Sequence, residues 1–221
     1  MFARGAVASG ATPDVGAAAW GAALASTELP VAYSLGKTPR FRLTFAAALP
    51  AGMAGEAELA DLVLTERLSV AAVRSRLDRH LPDGHRLVDL YDIWLGAPTL
   101  IVQLAAADYR VAVRGATVGE LGDACARLMA TATLERSRRK GDGRTVPYDL
   151  RPLLLRLSVV DAAVGTADDV TLLMRLGHPQ DGPAGRPEEV VLALAESLKR
   201  PLEPGPIVRE RLLTNDMLED P

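Results

Sequence analysis

The chain has 221 residues, 48% of them apolar, 4% aromatic and one a cysteine, with a formal net charge of −3. That length holds one large domain or two small ones around a buried core, and the lone Cys125 excludes an internal disulfide or a Cys-built zinc or iron–sulfur centre. The weak negative charge excludes a bulk positive field, and the scarcity of aromatics limits base stacking, so any nucleic-acid contact needs a local basic patch.

The first residues, "MFARGAVASGATPDVGAAAWGAALAS", are rich in alanine, but Pro13, Asp14 and Gly16 interrupt the apolar run and only Arg4 precedes it. A signal peptide or membrane span is not expected, and a cytoplasmic protein without a membrane partner is. Residues 3–10 read as a weak first strand. Thr12 then serves as N-cap, with Pro13 at the first helical position, for a helix running to Ser26. Its body, "AAAWGAALA", carries no charge, which predicts burial on more than one side or a partner surface.

Residues 31–34 and 41–48 read as extended segments around a basic turn, and 58–64 as a further strand. Ser69 caps a short helix in which Val70, Val73, Leu77 and Leu81 share one face. "PDGH" at 82–85 is a turn, and "RLVDLYDIWL" is the closing strand of the first half. The second half follows the same order. Residues 108–115 alternate as a strand, and Thr117 with Glu120 forms a capping-box pattern for a helix over 118–131. Cys125 sits in that helix as a small apolar residue. A strand and charged turn lead to the apolar run 153–160, and 169–177 is a strand. Residues 186–200 are a helix with Pro187 and two glutamates at its start and Lys199 and Arg200 at its end. Residues 206–213 form a last strand before a frayed acidic tail.

The expected fold is α+β: two tandem ferredoxin-like (βαββαβ) units packed as one body, over 1–96 and 97–213, with the acidic tail at 214–221. The join, "LGAPTLIVQLAAA" at 95–107, is apolar rather than a Gly/Ser linker.

The stretch "LPVAYSLGKTPRFRLTFAAALPAGMAGEAELAD" at 29–61 resembles the radical S-adenosylmethionine-linked family known as domain of unknown function 2344. Ser34, Gly36, Pro39, Arg42, Leu43, Phe45, Leu49, Pro50, Gly52, Glu56 and Glu58 stand where the family pattern expects them. "ADYRVAV", "VPYDLRPLLLRL", "GRPEEVVLAL" and "VRERLL" are similar to the family downstream. The resemblance implies a partner, a radical S-adenosylmethionine enzyme encoded beside such proteins or fused to them, and an association with an RNase E/G-type nuclease and ribosomal proteins. This chain lacks the three clustered cysteines that would hold the enzyme's cluster, so it is expected to be the accessory half. It departs from the family where Ser-His-Leu-Asp would start the first helix, which here reads Thr12, Pro13, Asp14 and Val15. In the turn, Leu35, Lys37, Thr38 and Arg40 replace the family's Gln, Phe, Asn and His. If the family's site acts through that His, this chain has lost the chemistry; if the site binds an anion, Lys37 and Arg40 keep that capacity.

Two basic segments are candidate nucleic-acid contacts: the turn bearing Lys37, Arg40 and Arg42, and the hairpin "ERSRRKGDGRT" bearing Arg136, Arg138, Arg139, Lys140 and Arg144. Cations on a projecting turn neutralise phosphates, and the plain alternative is a solvated corner or a charge-protected hairpin. His80, His85 and His178 lack the further ligands of a metal site. Asp161, Asp168 and Asp169 read as turn residues, and the loop 177–187 matches no phosphate-loop spacing. Trp20, on the uncharged helix, reads first as core and otherwise as the partner-binding residue. No catalytic residue, cofactor or metal is assigned. The expected function is an accessory protein of a radical S-adenosylmethionine system that binds RNA or a ribosome-related particle. Two alternatives stand beside it: a relative of the RNA-processing endonucleases of CRISPR systems, and a structural docking module without nucleic acid.

Overall fold

The computed structural model describes residues 1–6, 13–139, 141, 143–161 and 169–219. The chain is α+β and divides into two units, Met1–Leu104 and Ala105–Pro221. Among the described residues there are six α-helices, none long and apolar enough to cross a membrane.

The N-terminal unit runs β1 (Phe2–Arg4), α1 (Pro13–Ala25), β2 (Leu43–Phe45), β3 (Met53–Glu58), β4 (Ala60–Leu62), α2 (Val70–Leu77), β5 (His85–Leu87) and α3 (Leu100–Gln103). Strand β1 pairs antiparallel with β5 on one side and β3 on the other. Strands β2 and β4 form a separate antiparallel ribbon, with Leu43 opposite Leu62. This departs from the expected strand order. The segment after the basic turn joins β4 in the ribbon, and the strand beside β1 is β3, of which only Glu58 belongs to the strand expected at 58–64. Gly and Ala are weak strand formers, so β3 owes its conformation to pairing, with Arg4 opposite Gly55 and Phe2 opposite Glu58. Gly55 is needed there: a Cβ at 55 would lie 2.5 Å from Glu58 Oε1, and Glu58 is 2% exposed.

Over residues 17–25, helix α1 buries one side only. Trp20 and Leu24, four residues apart, face inward, while Ala17, Ala18, Ala22 and Ala25 are exposed. Of the two expectations, burial on more than one side is not met over these residues: alanine has high helix propensity and loses little when left in water, so an uncharged helix need not be enclosed. The capping residue read at Thr12 lies outside the described residues, as do positions 7–10 of the first predicted strand. Thr27 closes the other end of α1, its hydroxyl donating to the Leu24 carbonyl at 2.7 Å and accepting from the Leu29 amide at 3.2 Å. Leu24, Leu29, Val31, Val73 and Leu77 form a core cluster, against which Phe41, Leu43, Leu62, Leu64 and Leu68 pack. Ser69 caps α2 as its sequence suggests, accepting from the Ala72 amide at 3.2 Å. The turn at 82–85 also forms, with Gly84 at φ +72° and the His85 amide donating to the Pro82 carbonyl at 3.0 Å. The closing strand is much shorter than the predicted ten residues. Past Leu87 the chain leaves the sheet, and Tyr91, Ile93, Trp94 and Leu95 are exposed.

The C-terminal unit carries β6 (Leu104–Arg114), α4 (Val118–Ala130), β7 (Glu135–Arg139), β8 (Thr145–Asp149), β9 (Leu154–Asp161), β10 (Val170–Gly177), α5 (Pro187–Leu198), β11 (Glu203–Thr214) and α6 (Asn215–Glu219). Four strands lie in the order β11–β6–β10–β9, and β7–β8 is a separate hairpin. Period-2 alternation is clear over Asp108–Arg114 of β6 and Val170–Leu176 of β10. Tyr109, Val111, Val113, Val170, Leu172, Met174 and Leu176 are buried, as are Leu121, Ala124, Cys125 and Leu128 of α4 and Val190, Val191, Ala193 and Leu194 of α5. Helix α4 packs on β9 and α5, and α5 packs on β11. The tail predicted to fray forms α6, opened by the Thr214 hydroxyl donating to the Asp216 carboxylate.

The capping box of α4 is complete. Thr117 Oγ1 accepts from the Glu120 amide at 3.3 Å, and the Thr117 amide donates to Glu120 Oε2 at 2.8 Å. These bonds from Thr117, with Arg200 at 2.6 Å, hold the Glu120 carboxyl down at about 2. A carboxyl depressed by folding stabilises the fold above its ordinary 4.5, and that contribution fades as pH falls towards 2. Thr117→Ala is expected to cost about 1 kcal/mol, read from urea denaturation at neutral pH. The gap between Thr117→Ala and the parent should narrow on acidification over the same window.

Candidate nucleic-acid interface

The basic turn is anchored by the core beneath it. Val31 bridges to Leu64, and Tyr33 bridges to Phe41, with their rings 4.7 Å apart. Val31 belongs to the core cluster and Phe41 packs on it, so both stems of the loop are held. The loop then closes on itself. The Ser34 amide donates to the Arg40 carbonyl at 2.7 Å, and the Arg40 amide donates to Ser34 Oγ at 3.0 Å. The Arg42 amide donates to the Ala32 carbonyl at 2.8 Å, continuing the pairing below. Gly36 sits at φ +142°, a conformation that residues with a Cβ rarely adopt. Three of the family-pattern residues thus have structural roles here: Ser34 ties the loop, Gly36 bends it and Pro39 rigidifies the return.

Lys37, Arg40 and Arg42 are all exposed on this loop and its outgoing stem. Arg40 and Arg42 flank the half-buried Phe41, which puts them on its opposite side. None of the three side chains makes an ion pair among the described residues, so their charge is available to a ligand. Tyr33, not singled out in the sequence, is 57% exposed, and Leu35 of the turn is fully exposed. The signal for Tyr33 was slight, one aromatic preceding the loop serine, but it supplies a stacking surface beside the cations.

The hairpin has a different character. Its register sets Arg136 opposite Tyr148 and Arg138 opposite Val146, while Arg139 lies opposite Thr145. Alternation therefore splits the arginines between two faces. Arg136, with its side chain 13% exposed, is paired with Glu196 at 2.9 Å and Glu189 at 3.9 Å. It ties the hairpin to α5, which corrects its reading as a phosphate contact: a guanidinium held by two carboxylates and largely enclosed presents little charge to a ligand. Arg138 is half-buried on the same face. Beside it, burial pushes the Tyr148 hydroxyl up, with Glu189 adding to the effect. Arg139 and Arg144 are exposed. Lys140 lies outside the described residues. The turn and the hairpin belong to different units.

Trp20 is 5% exposed and edge-on to Phe2 and Phe45, with ring centroids 5.2 and 6.0 Å away. It is a core residue and presents no docking surface. His85 stacks on Phe2 and meets Trp20 edge-on, and burial lowers its pKa. His178 is lowered by burial and by Arg209, and His80 is exposed at the end of α2. No group of three or more His, Cys, Asp or Glu among the described residues is placed to hold a metal. Asp169 pairs with Arg114, Asp161 ends β9, and Asp168 lies outside the described residues. Burial pushes the Cys125 thiol up to about 11, so it is no thiolate at neutral pH.

A further charged group was illegible in the sequence. Asp108 of β6 accepts from Arg175 of β10 at 2.8 and 3.0 Å and from Arg211 of β11 at 2.8 Å. Burial alone would raise the Asp108 carboxyl, but the two guanidiniums outweigh it and hold it below its usual range. These side chains lie on the sheet face opposite Tyr109, Val111 and Met174.

Comparison with known proteins gives two findings. The thiazole synthase of Stutzerimonas stutzeri (strain A1501) is 31% identical over 185 residues, 68% of each chain. The family described as "Uncharacterized protein conserved in bacteria (DUF2344)" matches residues 18–187, a span that includes the anchored loop, the buried Glu58, the α4 capping box and the β7–β8 hairpin. With that span covering well over half of its length, the chain belongs to the DUF2344 family of bacterial proteins.

Proposed function

We propose that this protein is an RNA-binding accessory protein of a radical S-adenosylmethionine enzyme, contacting RNA or a ribonucleoprotein through the loop that bears Lys37, Arg40 and Arg42. The observation that carries the RNA part is the loop itself: three exposed cations without ion-pair partners, on a closed and core-anchored turn, with Tyr33 exposed at its base. Preorganised cations lose little entropy on meeting phosphates, and an adjacent ring adds stacking to charge. The partner enzyme follows from the family resemblance. Both units fit a ferredoxin-like plan in this reading. In the C-terminal unit, strand, helix, strand, strand, helix and strand pair in the order β11–β6–β10–β9, with one hairpin inserted after the first helix. In the N-terminal unit, β5–β1–β3 supplies three of the four strands.

The test is binding of a labelled single-stranded RNA at two salt concentrations. Three phosphate contacts give a slope of about −2 in log affinity against log salt, so affinity should fall roughly 20-fold between 50 and 200 mM. The variant Lys37→Ala/Arg40→Ala/Arg42→Ala should lose most of that slope. If instead a pull-down from lysate recovers a radical enzyme regardless of RNase, with no RNA enriched, the RNA reading falls and the protein is a docking module.

A further inference from the structure

The sheet of the C-terminal unit has one face occupied by core residues, and its other face carries charge in a definite row. The register puts Arg156 of β9 opposite Arg175 of β10, and Arg175 opposite Asp108 of β6. Arg211 of β11 completes the row by donating to Asp108. One carboxylate therefore stands among three guanidiniums across four neighbouring strands and bonds two of them. Asp108 is saturated by Arg175 and Arg211, whose side chains are 24% and 57% exposed. Arg156 is exposed and has no ion pair among the described residues.

This arrangement has an energetic oddity. Like charges directly opposite each other on an antiparallel pair destabilise it, and an acidic or neutral residue at 156 would relieve Arg175. The row keeps the repulsive pair, which is what a surface awaiting an anion requires. Strand spacing is about 4.8 Å, so the row spans roughly 14 Å, enough for more than one phosphate along a chain. Ser158, the next residue on the same face of β9, lies opposite Leu173 and adds a neutral donor beside the row. The one aromatic of β6, Tyr109, is buried on the other face. Contact here is therefore to phosphates, without base stacking or sequence readout.

We infer that the row Arg156–Arg175–Asp108–Arg211 is a second phosphate-binding surface, taking the closely spaced phosphates of single-stranded RNA in a sequence-independent way. The inference rests on the RNA-binding reading for its ligand, but on the sheet alone for its geometry. Asp108 acts as a positioning residue: it holds two of the guanidiniums in the row and leaves a net positive charge.

The variant Arg156→Glu tests it without threatening the fold, since it replaces a repulsive pair with an attractive one. Two probes are used: a labelled single-stranded RNA of about 12 nucleotides, followed by fluorescence anisotropy, and tripolyphosphate alone, followed by calorimetry. Arg156→Glu removes one cation and neutralises its neighbour, so RNA affinity at low salt should drop about 10-fold and the salt slope should shrink by about 1. Tripolyphosphate binding should be lost, and homopolymers of different bases should bind the parent protein alike. If the variant binds RNA as the parent does while the Lys37/Arg40/Arg42 variant does not, the row is overturned and the loop reading stands. If the parent binds tripolyphosphate but no RNA, and Arg156→Glu abolishes that binding, the row is a phosphate site and the RNA reading falls. If the parent binds neither probe, both fail.

Discussion

Leu172→Ala is expected to destabilise the protein by about 3 kcal/mol, a shift in urea midpoint readily measured by far-UV circular dichroism. Leu172 is fully buried at the centre of β10, opposite Val111 on one side and Val159 on the other. Removing its branched end loses the transfer free energy of the apolar atoms and leaves a cavity. The cavity cannot collapse easily, because both flanking strands are fixed by their own ladders to β10. Leu155, 44% exposed on β9, is the control, and its truncation should cost less than about 0.5 kcal/mol. Equal effects at the two positions would show that burial does not set the cost of truncation in this sheet.

The second large effect is expected at Asp108. With its side chain 15% exposed, it is the carboxylate that bonds both Arg175 and Arg211. Asp108→Asn removes the compensating charge and leaves two guanidiniums facing each other, at a cost on the order of 2 kcal/mol, below that of a fully buried pair because Arg211 reaches water. The pH dependence identifies the cause. The folded Asp108 carboxyl titrates below its ordinary 3.8, so its contribution is full at neutral pH and is lost as pH falls through the depressed folded value. The stability difference between parent and Asp108→Asn should therefore be constant above about pH 5 and shrink in stronger acid. Other depressed carboxyls, Glu120, Asp149 and Asp216, affect both proteins alike and cancel in the difference. A difference that stays constant down to pH 2 would assign the effect to packing rather than charge.

Much of the local structure was legible in the residues. The alternation over 169–177 corresponds to β10, the Thr117–Glu120 pattern forms a complete capping box, and Pro187 opens α5 with two acidic residues behind it. The turn at 82–85 forms around Gly84 as its composition suggests. These features depend on neighbours within one turn of helix or one strand, so the chain states them directly. The exposed position of Lys37, Arg40 and Arg42 was equally readable, because Gly36 and Pro39 impose a turn whatever surrounds them.

The remainder was decided by partners far along the chain. Strand β3 is built of glycine, alanine and glutamate and becomes a strand because β1 lies beside it. Conversely, the apolar run after Leu87 has strand-forming residues but leaves the sheet, and Tyr91, Ile93 and Trp94 stay in water. Five arginine and lysine residues crowded into one hairpin looked equivalent in sequence, yet alternation and the carboxylates of α5 enclosed Arg136 and left Arg139 outside. The Asp108 row draws on β9, β10, β6 and β11, and no local pattern could announce it. By itself the sequence determined the α+β class, the helix caps, the turns and the charge on the loop, since each depends on short-range backbone preference. Tertiary structure alone decided which strands pair, which cations are neutralised and which stay exposed, because those outcomes depend on charges and surfaces brought together from distant parts of the chain.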